Sequence, residues 1–183
     1  VFVSTEDKRI TDIAQAWGAK VIPRPEELAQ DTSSEWIAWQ HAVEWVIQEK
    51  GEFDVFVSLP ATSPLRNRDD VENCLNRFDE DSEMVVTVTV TSRSPWFNMI
   101  QVTKDGYAHL LIEGEKHYVR RQDVPKAFDM TTVAYVTRPL FIRHADGIFD
   151  GRTKAVEIPE ERALDIDTEL DFQLAEFLFM KKF

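Results

Sequence analysis

The stretch DVFVSLPATSPLRNRDD, residues 54–70, decides how the rest of the chain is read. Its first seven residues are almost continuously apolar, the pattern of a strand covered on both faces. ATSP ends that run, and a helix is expected to open near Asp69. A buried strand that leads through a short loop into a helix is the repeating unit of an α/β fold.

The same rhythm extends in both directions. Residues 1–4 read as the tail of a strand. A helix over about 6–17 follows, with Ile10, Ile13, Ala14 and Trp17 on one face and Gly18 as its stop. AKVI is a short strand ended by the prolines of PRP. Asp31, Thr32 and Ser33 are all candidate N-caps for a tryptophan-rich helix reaching about residue 49. Downstream, MVVTVTVT is strongly β-branched, VAYVTRP and KAVEI are further strands, and ALDID leads into a last helix. Strands alternating with helices imply crossover connections and a mostly parallel sheet with helices on both sides. Residues 94–129 break this rhythm. They carry little helical periodicity, two Gly-bearing turn candidates (KDGY and EGEK) and short extended runs, as a hairpin-like insertion would. Trp96, Phe97, Met99, Ile100, Leu110 and Leu111 have no obvious place in a parallel sheet and suggest an interface between two copies.

Composition narrows the function. With 183 residues, 43% hydrophobic and 30% charged, the chain can bury a sizeable core as one domain. No run of about 18 apolar residues is present, so no membrane span is expected. VFVSTEDKRI has neither the charged start nor the apolar block of a secretory signal. One cysteine cannot form an internal disulfide, which fits a reducing cytoplasm; Cys74 shares a helical face with Val71, Leu75 and Phe78 and reads as core. The net charge of −12 argues against nucleic acid as a partner. It leaves room for a small anion at a local positive patch, and Arg24, Arg66, Arg68, Arg120 and Arg121 all lie in or beside expected loops or element ends. The six glycines form neither a dinucleotide-binding fingerprint nor a P-loop. The four histidines have no metal-like spacing, although His117 could reach a site through the insertion.

One motif asks for a cation. In ALDIDTELDF, residues 163–172, Asp165 and Asp167 flank Ile166, and Thr168 and Asp171 form a T-x-x-D helix start. If 163–167 is extended, both carboxylates share a face, an arrangement that needs a positive charge opposite. Magnesium bound by one or two carboxylates is one answer. A surface Asp165 beside a helix-cap neighbour Asp167 is the other.

Several segments together resemble a known family. SLPATSPLR resembles the L-x-Q-P-T-S-P-L-R segment of the acylneuraminate cytidylyltransferases. VSTEDKRI, RPEELAQDTSS, RRQDVPKAFDMTTVAYV and ERALDIDTELDF match further family segments in the right order, so the resemblance covers nearly the whole chain. It implies a Rossmann-like three-layer α/β sandwich with a mostly parallel sheet and a hairpin-like dimerisation insertion. It also implies an enzyme that joins CTP to a nonulosonic or related 2-keto sugar acid, releasing pyrophosphate with magnesium as cofactor. By the same resemblance, Asp165 and Asp167 fall on the metal-binding pair. Arg24 falls near the triphosphate, Ser34 near the nucleotide, and Thr62 and Ser63 in the sugar-pocket loop. Arg120, Arg121 and Gln122 lie in the insertion that reaches a neighbouring subunit's site, with Arg120 or Arg121 assigned to the sugar carboxylate. Tyr135 and Phe149 match aromatic positions of the sugar pocket.

The chain departs from the family in three places. Pro60–Ala61 replaces its Q-P pair, and Thr131 replaces the asparagine of its N-G-A-I-Y segment, which favours a sugar acid other than N-acetylneuraminate. The R-x-G-S-K-G loop that grips the nucleotide does not occur, and the opening strand–helix unit reads as if its first strand and nucleotide loop lay upstream of Val1. A relative using another nucleotide or sugar acid, or a non-catalytic binding module, therefore stays open at this point.

Overall fold

A computed structural model describes residues 1–30, 32–113 and 118–181. The elements run β1 (Phe2–Thr5), α1 (Lys8–Ala16), β2 (Lys20–Pro23), α2 (Glu35–Lys50), β3 (Phe56–Ser58), α3 (Arg68–Arg77) and β4 (Met84–Val90). Then follow β5 (Ile100–Val102), β6 (Ala108–Leu110), β7 (Phe128–Thr137), α4 (Pro139–His144), β8 (Thr153–Glu157) and α5 (Glu169–Lys181). Single 3-10 turns occupy Glu26–Leu28, Arg121–Asp123 and Glu160–Arg162. Strands alternate with helices as expected, except that β4 to β7 are consecutive strands across the insertion. Among the described residues no helix is long and apolar enough to cross a membrane.

β1 and β2 pair in parallel, and β3, β7, β4 and β8 form one sheet in that order. β4 and β8 run the same way: the Glu83 N–H donates to the Arg152 carbonyl, and the Ile158 N–H to the Val88 carbonyl further along. β7 is the reversed strand, antiparallel to β3 with Val57 opposite Val136. It follows from a hairpin-like insertion rather than a helical crossover, so nothing forces it to be parallel. The insertion does contain a hairpin, β5–β6, turned at Gly106 with φ +85°. The EGEK turn falls mostly outside the described residues, as does His117.

The chain divides into two compact units, each discontinuous in sequence. The first comprises residues 1–58, 75–85 and 135–154. Its core is aromatic: the Trp39 ring lies 5.4 Å from Trp36, 5.7 Å from Phe56 and 5.1 Å from Tyr135. The polar ends of this helix face are satisfied too, for Trp36 Nε1 donates to the Ala145 carbonyl and Gln40 Nε2 to that of Ile142. α1 begins at Asp7, whose carboxylate accepts from the N–H groups of Arg9 and Ile10, and closes with Gly18 at φ +79°. Its expected apolar face is a correction. Ala14 is buried, but Ile10, Ile13 and Trp17 are exposed, because among the described residues no element covers that side. The cap of α2 differs as well: Ser34 takes that position without a side-chain bond, while Ser33 Oγ bonds the Glu27 carbonyl.

The second unit comprises residues 59–74, 86–134 and 155–183. Leu65, Cys74, Val86, Val133, Ala134 and Ile158 are buried there, so the core reading of Cys74 holds. Burial pushes its thiol up to about 11. Among the described residues five polar ones are buried in this unit, Ser63, Asp70, Thr87, Ser94 and Thr131, and each side chain has a partner. The last helix starts where T-x-x-D placed it: the Thr168 N–H donates to Asp171 Oδ2 at 2.8 Å, and the Asp171 N–H to Thr168 Oγ1. The Thr168 hydroxyl, donating to Asp171 Oδ2 at 2.7 Å, and then the Thr168 N–H hold the Asp171 carboxyl below its ordinary value. Residues 163–167, however, do not form a strand. The 3-10 turn at Glu160–Arg162 leaves Ala163 in helical geometry, and the chain crosses to α5 as an irregular loop.

Candidate active site

The acidic loop of the second unit is held at three points. Just before it, Arg162 donates to both oxygens of Asp70, with Nη2 at 2.9 Å and Nε at 3.0 Å from the two oxygens. In its middle, the Ile166 N–H donates to the Thr62 carbonyl at 2.9 Å. At its end, the Asp167 N–H reaches Asp171 Oδ2 at 3.3 Å. Asp165 is half-buried and Asp167 exposed, so the two carboxylates do not share one environment as an extended strand would give them. Asp165 Oδ1 is buried without a hydrogen-bond partner among the described residues.

What lies opposite Asp165 is Arg66. Burial pushes the Arg66 guanidinium below the ordinary arginine value, and the nearby charges of Asp165 and Asp70 act in the other direction. Arg66 Nη2 donates to the carbonyl of Pro60 and, at 3.4 Å, to that of Thr132, while its Nε is a second buried group without a partner among the described residues. The sequence points to Arg66 only as one of several loop arginines and gives no sign of Asp70 or Arg162. Nothing in RNRDD marks which carboxylate turns inward.

The sugar-loop residues separate by burial. Ser63 is fully buried and shares a 2.6 Å hydroxyl bond with Thr132, whereas the Thr62 side chain is exposed. Thr131 faces the other way, with its hydroxyl donating to Thr87 Oγ1 at 2.8 Å. Successive residues of a strand point to opposite faces. Thr132, not Thr131, is therefore the β7 residue on the side of the T-S-P loop. Arg120 in the insertion pairs with Asp123 at 2.8 Å, and Arg121 and Gln122 are exposed on the adjoining 3-10 turn.

The remaining candidates belong to the first unit. Arg24 follows β2 and is anchored there: its Nη2 donates to the Ser4 carbonyl at 2.6 Å and its Nε to Ser4 Oγ at 3.2 Å. It borders an open depression of about 480 Å3 that Thr5, Glu6, Thr11, Gln15 and Glu26 also line. Ser34 is exposed at the start of α2. Tyr135 is buried against Trp39, and Phe149 is 71% exposed. A smaller depression of about 200 Å3 beside Asp54, Arg138 and Arg143 contains none of the candidate residues.

The donors fit a hard divalent cation of the kind that keeps most of its ligands as water and phosphate oxygen. Among the described residues no cluster of three or more His, Cys, Asp or Glu side chains could hold a metal alone. One carboxylate with an orphaned buried oxygen and a second exposed two residues on is the sparse donor set magnesium accepts.

No family model matches the chain. It is 31% identical to the post-translational flagellin modification protein B of Campylobacter coli, covering all of this chain and 77% of that protein. It is 29% identical to the CMP-N,N'-diacetyllegionaminic acid synthase of Campylobacter jejuni, again over the whole chain and 77% of the relative. At 27% identity it covers 40% of the N-acylneuraminate cytidylyltransferase B of Danio rerio, with 96% of the chain aligned. Among solved structures, CMP:2-keto-3-deoxy-manno-octonic acid synthetase in complex with CTP matches with a TM-score of 0.64 at 19% identity, over 100% of this chain and 81% of that one. At such identity the structural match speaks for the mixed α/β fold alone. The sequence relatives go further, and with the ordered motifs they lead to one conclusion: the chain belongs to the acylneuraminate cytidylyltransferase family, whose members are nucleotidyltransferase enzymes.

Proposed function

We propose that the protein joins CTP to a sialic-acid-like nonulosonate other than N-acetylneuraminate, giving a CMP-sugar and pyrophosphate, with magnesium held by Asp165 and Asp167. The observation that carries this reading is the acidic loop, pinned at both ends and in the middle, with a buried carboxylate oxygen of Asp165 that has no partner among the described residues. Magnesium bound there would offset the charge that builds on the leaving pyrophosphate.

The chain's own residues supply the rest. Arg24, held by Ser4 through two of its nitrogens, keeps its third for a phosphate oxygen, and Ser34 is assigned to the nucleotide. Thr62 presents an exposed hydroxyl to the sugar, whereas Ser63 supports the loop from inside through Thr132. Arg121 is the better carboxylate anchor of the insertion pair. Arg120 is already neutralised by Asp123, and Arg121 has no ion pair among the described residues. The 2-keto sugar's anomeric hydroxyl can attack the α-phosphorus directly once it is positioned, so no protein nucleophile is required. Pro60 offers no side-chain hydrogen bond where the family has glutamine, which changes the polar pattern a sugar must match. Relatives named for legionaminic and pseudaminic acids support a deoxy, diamino nonulosonate.

We place the protein in the cytoplasm, since its single thiol is buried and unpaired, and read it as a twofold homodimer joined through residues 94–129. Ile100, Val102, Leu111 and Ile112 of that segment are each at least 41% exposed, which supports the reading.

The test is pyrophosphate release from CTP by the full-length protein with several nonulosonic acids at equal concentration, compared by kcat/KM. A diamino acid is expected to win, and Asp167→Asn to remove most magnesium-dependent turnover. Full activity in that variant would overturn the metal assignment. A clear preference for N-acetylneuraminate would overturn the sugar assignment.

A further inference from the structure

Asp70 is among the most buried charged groups of the protein, at 1% exposure, and it stands 92 positions before its partner in the sequence. Its whole carboxylate is committed. Both oxygens accept from Arg162, and Oδ2 also accepts the Asn67 N–H, while the Asp70 N–H returns to Asn67 Oδ1. A group so fully satisfied at the start of α3 is not available to a ligand. What it does is fix Arg162, the last residue of the 3-10 turn that launches the acidic loop. A bidentate arginine fork fixes direction as well as distance. Four residues later the loop is tied again, by the Ile166 N–H to the Thr62 carbonyl, and Thr62 sits on the same 59–74 segment as Asp70. Asp165 lies between these two ties.

We propose that the Asp70–Arg162 pair is a positioning clamp that sets where Asp165 and Asp167 are presented to magnesium, with neither residue touching metal or substrate. The inference rests on the proposed function and adds to it two residues that contact no reactant. Asp165, between two ties to the 59–74 segment, cannot shift its carboxylate far without breaking one of them, and Asp167 follows directly after the second tie. A metal with near-ideal octahedral demands is sensitive to such a shift.

The experiment uses the full-length protein and compares Arg162→Lys, which keeps the charge but loses the fork, with Asp70→Asn. Asp165→Asn and Asp123→Asn, the latter in the exposed Arg120 pair, serve as controls. Two quantities are read: the magnesium dependence of turnover at saturating CTP and sugar acid, and the exchange rate of the Ile166 amide in the absence of any substrate. The clamp requires that Arg162→Lys raise the half-saturating magnesium concentration about tenfold or more, with a smaller loss of turnover at saturating metal. It also requires Ile166 exchange to be about tenfold faster, and both quantities to stay unchanged in Asp123→Asn. Should Asp70→Asn fail to fold, Arg162→Lys alone decides. Unchanged magnesium dependence in a folded Arg162→Lys, with Asp165→Asn inactive, overturns the clamp and leaves the proposed function intact. Full activity in Asp165→Asn overturns the proposed function instead, and the metal role of the clamp with it.

Discussion

Two arginine–carboxylate pairs of the second unit invite comparison, because their chemistry is the same and their surroundings are not. Arg162 and Asp70 meet with side-chain exposures of 20% and 2%, whereas Arg120 and Asp123 meet with 66% and 41%. Both are bidentate and both lie within 3.2 Å. In the first pair, water hardly reaches Asp70 and reaches Arg162 only in part, so breaking it leaves a poorly solvated charge. In the second, water is already competing for both ions, and three residues of local chain hold the partners together in any case. Geometry alone would call these pairs equal. Burial makes one of them a fixed point of the fold and the other an ornament of a surface turn.

The largest expected effect breaks the buried pair. Asp70→Asn should cost roughly 3 kcal/mol, the lower end of the range for a stranded buried charge, because a fifth of Arg162 still meets solvent. An unfolding free energy, measured in urea, that falls by less than a third of that would show that Arg162 finds water or another acceptor, and the contrast with the surface pair would vanish.

A smaller effect is expected from the uncharged buried pair. Thr87 Oγ1 donates to backbone carbonyls of β7 and accepts from Thr131 Oγ1 and the Ala134 N–H. Thr87→Val should therefore cost about 1–3 kcal/mol, through polar groups left unsatisfied. Adding Thr131→Val should restore part of that loss, since one of the stranded groups is then gone. Strictly additive losses in chemical denaturation would mean that the two hydroxyls do not depend on each other.

Below these comes the exposed pair. Arg120→Ala should shift stability by less than about 1 kcal/mol, and raising the salt should shrink even that. A larger, salt-insensitive loss would place Arg120 in an interface rather than on an open turn.

The smallest expected signal is silence at Cys74. With its thiol pushed up to about 11, only about one molecule in a thousand carries the reactive thiolate at pH 8. A disulfide reagent should label the unfolded chain and leave the native one untouched. Labelling of native Asp70→Asn but not of wild type would show that the clamp also keeps α3 closed.

What could be read without the structure follows the range of the forces involved. β4, α2, the Gly18 and Gly106 turns and the reciprocal Thr168–Asp171 cap depend on residues within a few positions of one another, and a periodicity or spacing reports them directly. The ordered motifs likewise brought Asp165, Asp167 and Thr62 forward before any coordinates did. The direction of β7, the exposed side of α1 and the irregular path of residues 163–167 were not legible, because each depends on what covers or continues a segment elsewhere. The site shows the same division. That two aspartates would need a positive charge follows from Coulomb's law and the sequence alone. That Arg66 faces Asp165, that Thr132 rather than Thr131 meets Ser63, and that Asp70 holds Arg162 follow from strand pleat and chain crossing over separations of 69 to 99 residues. Over such distances spacing carries no information, and only burial selects which of two adjacent carboxylates turns inward.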